Sequence, residues 1–326
     1  MIKNKKIFLT GGAGFIGTKL CSTLCGDNEI FIYDNLRRNS IKDTDLLSKT
    51  NVRFFQGDIL NYGYLKETLQ NSCPDIVVHL AAIAGIDTVI RNRVDTMKVN
   101  MIGTYNLLEA LRGKGISLDR FIDISTSEVF GSYAYKVEEG STTNLQPVGE
   151  ARWTYSVSKL AGEHLAHSYF KEFGLPVVSV RPFNVYGPGQ VGEGAIHQFI
   201  VRAVKNEEIQ IHGDGDQIRS WCYIDDFIDG LLLCIEKQEA VGNSFNIGNP
   251  RGTITISMLA ELIKRIAGSQ SAIRYVPKNY VDVELRIPNI EKARSILGYE
   301  PKYGLTEGLE KTIEWYREAA PWIRKT

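Results

Sequence analysis

The sequence has few cysteines, no long hydrophobic run and no excess of either charge. Its five cysteines, an odd number in 326 residues, do not suggest a disulfide framework. Lys and Arg number 38, as do Asp and Glu, so no net positive field favours nucleic acid or an anionic membrane. No apolar run approaches the roughly 20 residues of a membrane span, and the N-terminal stretch lacks a signal peptide's apolar core. We therefore expect a cytoplasmic protein without nucleic-acid or membrane partners.

A metal site is not expected either. Cys21 and Cys25 stand four residues apart on the first predicted helix, but no cluster of histidines or cysteines accompanies them. Ordinary helix packing explains this pair better than metal binding does.

The stretch Ile7–Gly17 organises the chain. An apolar run, Ile7–Leu9, predicts a buried strand, and Phe15, Ile16 and Leu20 then follow with helical spacing. Gly11 and Gly14 lie between this strand and the helix, and Gly17 lies within the helix. Each of these glycines follows the previous one by three residues. Such glycines allow a tight turn, close approach of backbone to a pyrophosphate, and close packing of helix on strand. The stretch therefore predicts a dinucleotide-binding loop.

An acid follows the second predicted strand. Glu29–Tyr33 reads as that strand, and Asp34 ends it about twenty residues after the glycine loop. A carboxylate there accepts both hydroxyls of the adenosine ribose and repels a 2′-phosphate. Arg37 and Arg38 follow closely, so NADP stays an alternative, but Asp34 favours NAD.

Strands and helices continue to alternate. Further strands are predicted at Val52–Gln56, Asp75–Leu80, Phe121–Ser125 and Val177–Val180. Helices are predicted at Leu60–Leu69, Val94–Leu111 and Tyr155–Phe173. This alternation predicts an α/β fold with a doubly wound parallel sheet, whose ligand lies across the carboxyl ends of the strands.

Several residues near these strand ends suit a cofactor. Asp58 could hold the adenine amino group or cap the next helix, and Ala81 and Ala82 are small enough to let a cofactor pass. Asn100 is a polar residue in a partly buried helical pattern. His79 lies within an apolar strand, which favours a hydrogen-bonded core histidine over a catalytic one.

Three polar groups converge where a nicotinamide should lie. Thr126 ends the strand Phe121–Ser125, while Tyr155 and Lys159 are four apart and share one face of a helix. We expect the ammonium of Lys159 to lower the pKa of the Tyr155 phenol. The phenol could then take a proton from a sugar hydroxyl as hydride leaves the same carbon for NAD.

The motifs together resemble the extended short-chain dehydrogenases, specifically the NAD-dependent nucleotide-sugar epimerase, dehydratase and decarboxylase group. The motifs are TGGAGFIG at 10–17, Asp34, GDI at 57–59, HLAA at 79–82, STSEVFG at 125–131, YSVSK at 155–159 and RPFNVYGPG at 181–189. The resemblance implies a Rossmann domain at 1–180, to which a segment at about 221–250 partly returns. It also implies an interleaved, smaller α/β substrate domain, mainly 181–326. NAD is expected to stay bound, and a homodimer is expected to form through the helices Val94–Leu111 and Tyr155–Phe173.

The predicted site follows from the residues and the resemblance. Cofactor contacts are predicted for Gly11, Gly14, Phe15, Ile16, Gly17, Asp34, Asn35, Asp58, Ile59, Leu80, Ala81, Ala82, Asn100, Tyr155 and Lys159. By resemblance, Asn184 would contact the diphosphate of a nucleotide-sugar substrate, and Arg219 and Arg286 would pair with its phosphates. The chain departs from the group at Pro288–Asn289, where an aspartate usually precedes the next helix, which puts local capping in doubt.

The reaction must be inferred from Glu128. Oxidation of C4 of a hexose acidifies the C5 proton; a 4,6-dehydratase then needs a base for that proton and an acid for the C6 hydroxyl. Ser127 and Glu128 meet that requirement, with Thr126, Tyr155 and Lys159 completing the predicted catalytic set. A 4-epimerase has no need of a carboxylate beside Thr126. We therefore favour a 4,6-dehydratase.

Other reactions stay open. Thr-Ser-Glu is similar to the triplets of both GDP-mannose dehydratases and UDP-glucuronate decarboxylases. Arg152–Trp153 resembles one branch of the decarboxylases, whereas GDQIRSW at 215–221 resembles dTDP-glucose dehydratases. If Glu128 only fixes a backbone turn, a 4-epimerase or a 4-dehydrogenase releasing the ketosugar is the alternative. A dinucleotide-binding sensor or scaffold is the non-enzymatic alternative, although such proteins often lose the tyrosine or lysine retained here.

Overall fold

A computed structural model describes residues 2–112, 117–278 and 280–319. Its strands are β1 (Lys6–Thr10), β2 (Glu29–Asp34), β3 (Val52–Gln56), β4 (Ile76–His79), β5 (Arg120–Ile124), β6 (Tyr133–Val137), β7 (Val177–Pro182), β8 (Val185–Tyr186), β9 (Ile209–His212), β10 (Ile218–Ser220), β11 (Cys222–Tyr223), β12 (Ser244–Ile247), β13 (Thr253–Thr255), β14 (Ile273–Val276) and β15 (Leu285–Pro288). Its α-helices are α1 (Phe15–Leu24), α2 (Tyr62–Ser72), α3 (Ile86–Arg91), α4 (Arg93–Met97), α5 (Gly103–Arg112), α6 (Ala151–Phe173), α7 (Ala195–Val204), α8 (Ile224–Glu236), α9 (Ile256–Ile266) and α10 (Leu305–Ala319).

Seven strands form one sheet in the order β3-β2-β1-β4-β5-β7-β12. Every neighbouring pair in it is parallel. The strand order reverses between β1 and β4, and open α/β sheets bind ligands in the crevice at that point. The doubly wound α/β sheet predicted from the sequence is thus confirmed.

Helices cover both faces of this sheet. Successive residues of a strand point to opposite faces, so Ile7 and Leu9 pack into one core and Phe8 into the other. Leu20 of α1 joins the first core, and Leu107 of α5 joins the second. Burial on both faces explains why the central strands are continuous apolar runs.

A second sheet has the order β13-β10-β15-β6. It combines β6, from the middle of the chain, with strands from the C-terminal third, while β12 pairs with β7 of the large sheet. Two smaller pairs are β8 with β11 and β9 with β14. The division into a cofactor domain and a substrate domain stays a prediction.

Helix boundaries differ from the predictions in four places. The predicted helix Val94–Leu111 is α4, a π-helical segment at Lys98–Ile102, and α5. The short helix α3 was not predicted, and α6 begins four residues before Tyr155. The cap of α2 is Asn61, whose Oδ1 accepts from Tyr64 N at 3.2 Å, not Asp58.

The turn after β15 is capped despite its unusual sequence. Asn289 Oδ1 accepts a hydrogen bond from Glu291 N at 2.8 Å. An asparagine therefore does locally what the aspartate of the group would do.

The described residues form neither a membrane-spanning helix nor a cluster of metal ligands. No helix in that part of the chain is long and apolar enough to cross a membrane. Over the same residues, no three His, Cys, Asp or Glu side chains cluster in a way that could hold a metal. Cys21 and Cys25 are free and buried against the core.

Candidate active site

A cavity of about 760 Å³ opens at the carboxyl ends of β1, β2, β4 and β5. Most of the site residues predicted from the sequence line it: Gly11, Gly14, Phe15, Ile16, Gly17, Asp34, Asn35, Asp58, Ile59, Leu80, Ala81, Ala82, Thr126, Ser127, Glu128, Tyr155, Lys159, Asn184 and Arg286. Asn100 and Arg219 do not.

The glycine loop leaves no room for side chains. Gly11 has φ +69°, and a Cβ on it would lie 2.5 Å from Ala81 N. A Cβ on Gly17 would lie 2.6 Å from the Cα of Gly12, so only glycine allows α1 to pack this closely on the loop. Gly14 is the N-cap of α1, directly before its first residue Phe15. The loop therefore presents backbone and a helix N-terminus to the cavity, as a dinucleotide pyrophosphate requires.

Asp34 lies at the end of β2 beside this loop. Its Oδ2 accepts from Ala13 N at 3.1 Å and its Oδ1 from Leu36 N at 2.6 Å. Burial raises the pKa of Asp34, and these two backbone donors oppose the rise. Each carboxylate oxygen has a second lone pair, so the fixed side chain can still accept ribose hydroxyls.

Asn35 and Asp58 contact each other across two strand ends. Asn35 Nδ2 donates to Asp58 Oδ2 at 3.1 Å, and Asp58 Oδ1 accepts from Leu60 N at 2.9 Å. This arrangement fixes the Asp58 carboxylate at the cavity wall, where it suits an adenine amino group.

Asn100 lies behind the cavity wall and is fully buried. Its Oδ1 accepts from Ile83 N at 2.8 Å, and its Nδ2 donates to Ile83 O at 3.0 Å and to Ser158 Oγ at 3.0 Å. The predicted cofactor contact of Asn100 stays a prediction; within the chain, this side chain ties the loop after β4 to α6. Its position in the π-helical segment could not be predicted from helical periodicity.

His79 is a core residue, as predicted. One ring nitrogen lies 2.7 Å from Thr10 Oγ1 and the other 3.0 Å from Thr104 Oγ1. Burial lowers the pKa of His79 to about 3, so the imidazole is neutral.

Tyr155 and Thr126 meet at the end of β5. The phenol of Tyr155 and the hydroxyl of Thr126 form a hydrogen bond. Burial raises the pKa of Tyr155 to about 12, and the negative charge of Glu128 adds to the rise. The pKa of Tyr155 is thus raised in the fold, whereas Lys159 was expected to lower it. Thr126, Arg286 and Arg38 oppose the rise.

Two buried carboxylates interact electrostatically with the ammonium of Lys159. Burial lowers the pKa of Lys159, and the carboxylates of Asp123 and Glu163 oppose this effect. Glu163 forms a buried ion pair with Arg181 at 2.9 Å and accepts from Ser125 Oγ at 2.6 Å. These buried carboxylates therefore favour the charged form of Lys159.

Glu128 lies between two arginines. Its Oε1 is 2.6 Å from Arg152 Nη1 and 3.4 Å from Arg286 Nη1, and its Oε2 accepts from Ser156 Oγ at 3.4 Å. Arg152 also pairs with Asp282 at 2.7 Å. Burial acts to lower the pKa of Arg152, but the negative charges of Glu128 and Asp282 outweigh this effect. The pKa of Arg152 is therefore raised.

Arg286 does not use all of its guanidinium hydrogen-bond donors within the described residues. Its Nε and Nη2 are buried and have no hydrogen-bond partner in the part of the chain that the structure describes. Burial lowers the pKa of Arg286, and Glu128 opposes this effect. Unpaired buried guanidinium groups are rare, so this end of the cavity suits an anion.

Arg219 does not reach the cavity. Its guanidinium donates to the carbonyls of Val283 and Ile218 and pairs with Asp282 at 3.3 Å. Burial lowers the pKa of Arg219 to about 10. The predicted phosphate contact of Arg219 stays a prediction; within the chain, Arg219 pairs with Asp282, which does not line the cavity.

Asn184 lines the cavity with φ +41° and donates from Nδ2 to Ser220 O at 2.9 Å.

Three further lining residues, Arg38, Arg152 and Glu193, were not predicted as site residues. Arg152 carried a sequence signal, since it lies three residues before Tyr155 and hence on the same side of α6. Glu193 carried none, because its contacts are more than 100 residues away.

Comparisons with known proteins agree with this geometry. Residues 7–248 match the NAD dependent epimerase/dehydratase family model. The dTDP-D-glucose 4,6-dehydratase of Homo sapiens is 33% identical over 326 residues, which cover 96% of this chain and 90% of that protein. UDP-glucuronic acid decarboxylase 1 of Arabidopsis thaliana is 33% identical over 319 residues, covering 97% and 70%.

A solved structure is also similar. UDP-glucuronic acid 4-epimerase from Bacillus cereus, in complex with UDP-glucuronic acid and NAD, superposes with a TM-score of 0.85 at 32% identity, covering 96% of this chain and 99% of that one. The family match covers most of the chain and includes the glycine loop, Tyr155 and Lys159. This chain therefore belongs to the NAD dependent epimerase/dehydratase family and is an enzyme whose cofactor is NAD.

Proposed function

We propose that the enzyme oxidises C4 of a nucleotide-linked uronic acid and then releases the C6 carboxylate as carbon dioxide. The observation that carries this proposal is the Arg286 guanidinium, which lines the cavity beside Glu128 with two buried donors unpaired among the described residues. A uronic acid supplies the missing anion at C6, two carbons from the reacting C4. A carboxylate can accept two guanidinium hydrogen bonds at once.

The first step needs a base and an orienting group. We assign the base to Tyr155, which takes the proton of the C4 hydroxyl, and the orienting group to Thr126, its hydrogen-bond partner. NAD, when bound, supplies the cationic ring that accepts hydride from C4. With a pKa of about 12, the phenol is protonated at neutral pH and needs positive charge nearby to act as a base. Lys159 contributes part of that charge from the next helical turn.

The second step follows from the 4-ketone. It makes the C6 carboxylate part of a β-keto acid, so the C5–C6 bond breaks, its electron pair enters a C4–C5 enolate, and carbon dioxide leaves. A proton then adds at C5, and C4 takes back the hydride together with a proton from Tyr155, so the oxidation is reversed and the product has lost only carbon dioxide. Glu128 places a second negative charge beside the bound carboxylate, and departure of neutral carbon dioxide relieves the repulsion. A 4-epimerase keeps its carboxylate and gains nothing from Glu128.

The 4,6-dehydratase is the second candidate, and the adjacency of Ser127 and Glu128 at the cavity wall supports it. The ion pair with Arg152 holds the Glu128 carboxylate at the cavity wall, which suits a base for the C5 proton and leaves the C6 hydroxyl to Ser127. We rank this reaction second because a hexose carries no anion at C6, and the diphosphate that the resemblance assigns to Arg286 is common to both substrates.

Product mass tests the proposal. The NAD-loaded protein is incubated with UDP-, dTDP-, GDP- and CDP-linked uronic acids and hexoses. Loss of the mass of carbon dioxide from a uronic acid supports the decarboxylase. Loss of water from a hexose supports the second candidate. Unchanged mass with altered stereochemistry, or loss of two hydrogens with release of the ketosugar, overturns both.

We further propose a homodimer formed through α4, α5 and α6. Helices 93–112 and 151–173 lie side by side and expose large apolar side chains, among them Val94 (67% exposed), Ile102 (48%), Tyr105 (48%) and Phe173 (51%). A second copy of the chain would cover this face.

We also propose that residues 1–180, with the segment at about 221–250, hold NAD and that the remainder mainly holds the nucleotide sugar. The pairing of β12 with β7 and of β6 with β15 supports this interleaved division.

A further inference from the structure

A row of polar side chains crosses the large sheet directly behind the cavity. Its members occupy paired register positions on five neighbouring strands and are Thr10, His79, Asp123, Ser179 and Ser244. The residues two positions earlier on the first four of these strands are Phe8, Val77, Phe121 and Val177, which pack into the core on the side of α5 and α6. Alternate residues of a strand share a face, so the polar row faces the same two helices. Polar groups thus replace the hydrophobic core where the strands reach the cavity.

Asp123 is the carboxylate of this row and is 1% exposed. Its Oδ2 accepts from Ser179 Oγ at 3.4 Å, whereas its Oδ1 has no hydrogen-bond partner in the described part of the chain. Other members of the row are better satisfied: Ser244 Oγ, for example, donates to Glu163 Oε1 at 2.7 Å. Burial of an incompletely bonded carboxylate is costly unless a cation lies near it.

Lys159 supplies the positive charge. Burial raises the pKa of Asp123 to about 6, and the charge of Lys159 opposes this rise. In return, the charge of Asp123 opposes the lowering of the pKa of Lys159 by burial. The two groups interact across a gap, because no carboxylate among residues 2–112, 117–278 and 280–319 lies within 4.0 Å of the ammonium.

The other charges around this pair are already compensated. The further titratable or charged groups that face it are Tyr155 and Glu163 on α6, Arg181 on β7 and His79 on β4. Glu163 is bound to Arg181, with 2.9 Å between Oε1 and Nη2, and His79 is neutral. Asp123 is therefore the carboxylate whose charge is left for Lys159.

We propose that Asp123 is a positioning residue for the oxidation at C4, whose carboxylate keeps the Lys159 ammonium charged beside Tyr155. This inference rests on the first step of the proposed function and not on the fate of the 4-ketone. A charged ammonium favours the phenolate that takes the proton of the C4 hydroxyl. The arrangement lowers stability: because the pKa of Asp123 is raised in the fold, its ionisation destabilises the protein as the pH rises from 3.8 to about 6, and this loss persists above that pH.

The titration of Lys159 tests this inference without any sugar. NAD-loaded protein carries ¹³C at the lysine Cε atoms, and Lys159→Met identifies the resonance by its absence. Asp123→Asn keeps an acceptor for Ser179 but removes the charge, so we expect the midpoint of the Lys159 titration to move down by about one pH unit. Ser179→Ala removes the hydrogen bond but keeps the charge, and its midpoint should match that of wild type.

Cofactor reduction and stability give two further readouts. In single turnovers with a nucleotide sugar, Asp123→Asn should move the alkaline limb of the rate down by about one pH unit. Its urea midpoint at pH 8 should equal or exceed that of wild type. The control is Asp226→Asn, which changes another fully buried aspartate, bonded to Lys302 N at 2.7 Å and Tyr303 N at 3.1 Å. It should lose stability and keep the wild-type pH profile.

An unchanged Lys159 titration in Asp123→Asn overturns the proposal. Loss of stability at pH 8 in Asp123→Asn and Ser179→Ala alike also overturns it, because Asp123 would then only tie β5 to β7. If no nucleotide sugar reduces the cofactor of the wild-type protein, the proposed function fails. The Lys159 titration still decides in that case whether Asp123 sets the charge of Lys159.

Discussion

Nη1 of Arg286 lies 3.4 Å from Oε1 of Glu128, although the two residues are 158 positions apart in the chain. Glu128 follows β5 of the large sheet, and Arg286 lies on β15 of the second sheet. The pair therefore joins the two sheets at the floor of the cavity. It also leaves two Arg286 donors unpaired among the described residues, which defines the anion subsite of the proposed reaction.

Replacing Arg286 should reduce selectivity for a uronic acid. Arg286→Gln removes the charge and the unpaired donors, and a hydrogen bond to a charged group contributes about 1.5–3 kcal/mol. We expect kcat/KM for the uronic acid to fall roughly 10- to 100-fold. Steady-state kinetics measures this change against the matched hexose. Arg274→Gln, on an exposed strand, is the control; equal losses on both substrates would show that Arg286 does not bind the carboxylate.

Removing the Tyr155 hydroxyl should stop C4 oxidation. Tyr155→Phe keeps the ring packed but loses the base, and positioned proton transfer contributes roughly 10²- to 10⁴-fold. The measurement is the absorbance of reduced cofactor after substrate is added to NAD-loaded protein. Tyr169→Phe changes another tyrosine of α6, bonded to Glu109, and should retain the signal. Full turnover by Tyr155→Phe would remove this residue from the mechanism.

Glu128→Gln should separate the two steps. Loss of the Glu128 charge removes one cause of the raised pKa of Tyr155 and so does not hinder the hydride step, whereas release of carbon dioxide depends on that charge. Reduced cofactor and 4-keto uronic acid should accumulate while carbon dioxide release slows about tenfold or more. Stopped-flow absorbance and isotopic carbon dioxide release measure the two steps. Equal slowing of both would instead assign Glu128 to orientation of the reacting hydroxyl.

His79 should make stability depend on pH. Its pKa is about 3 in the fold against 6.5 for an ordinary histidine, so unfolding takes up a proton below pH 6.5. Its contribution is therefore complete above pH 6.5 and is lost as the pH falls from there toward 3. Between about pH 6 and about pH 5, the free energy of unfolding should fall by about 1.2 kcal/mol more in wild type than in His79→Asn. Urea titrations at each pH measure it, and parallel curves would contradict the assignment.

Charge placed on the exposed helical face should prevent dimerisation. Ile102→Asp puts a carboxylate in the centre of the proposed interface, where burial of an unpaired charge is costly. Sedimentation velocity should show a shift from dimer to monomer. The control is Tyr133→Asp, which alters a residue that is 71% exposed on β6, away from these helices. A wild-type monomer at all concentrations would end the dimer proposal.

The features predicted best from the sequence are local ones. The glycine loop, the strand ending at Asp34 and the Tyr155–Lys159 spacing each depend on neighbours within one turn or strand, so residue type and periodicity suffice to recognise them. The doubly wound sheet follows because an alternation of strands and helices has few compact solutions. His79 could be placed in the core for the same reason, since its strand is apolar throughout.

Tertiary structure decided what these local features cannot specify. Arg286 meets Glu128, Arg38 reaches Ala84, and Asn100 turns away from the cavity to hold Ile83. From the sequence, Arg219 suits a phosphate as well as Arg286 does. In the structure, however, Arg219 contacts Val283 and Asp282 and does not line the cavity. The sequence alone determined the fold, and it predicted that the glycine loop, Asp34, Tyr155 and Lys159 share one site, because short-range geometry encodes these features. Which charges surround the sugar was decided only by packing, because it depends on how loops far apart in the chain approach one another.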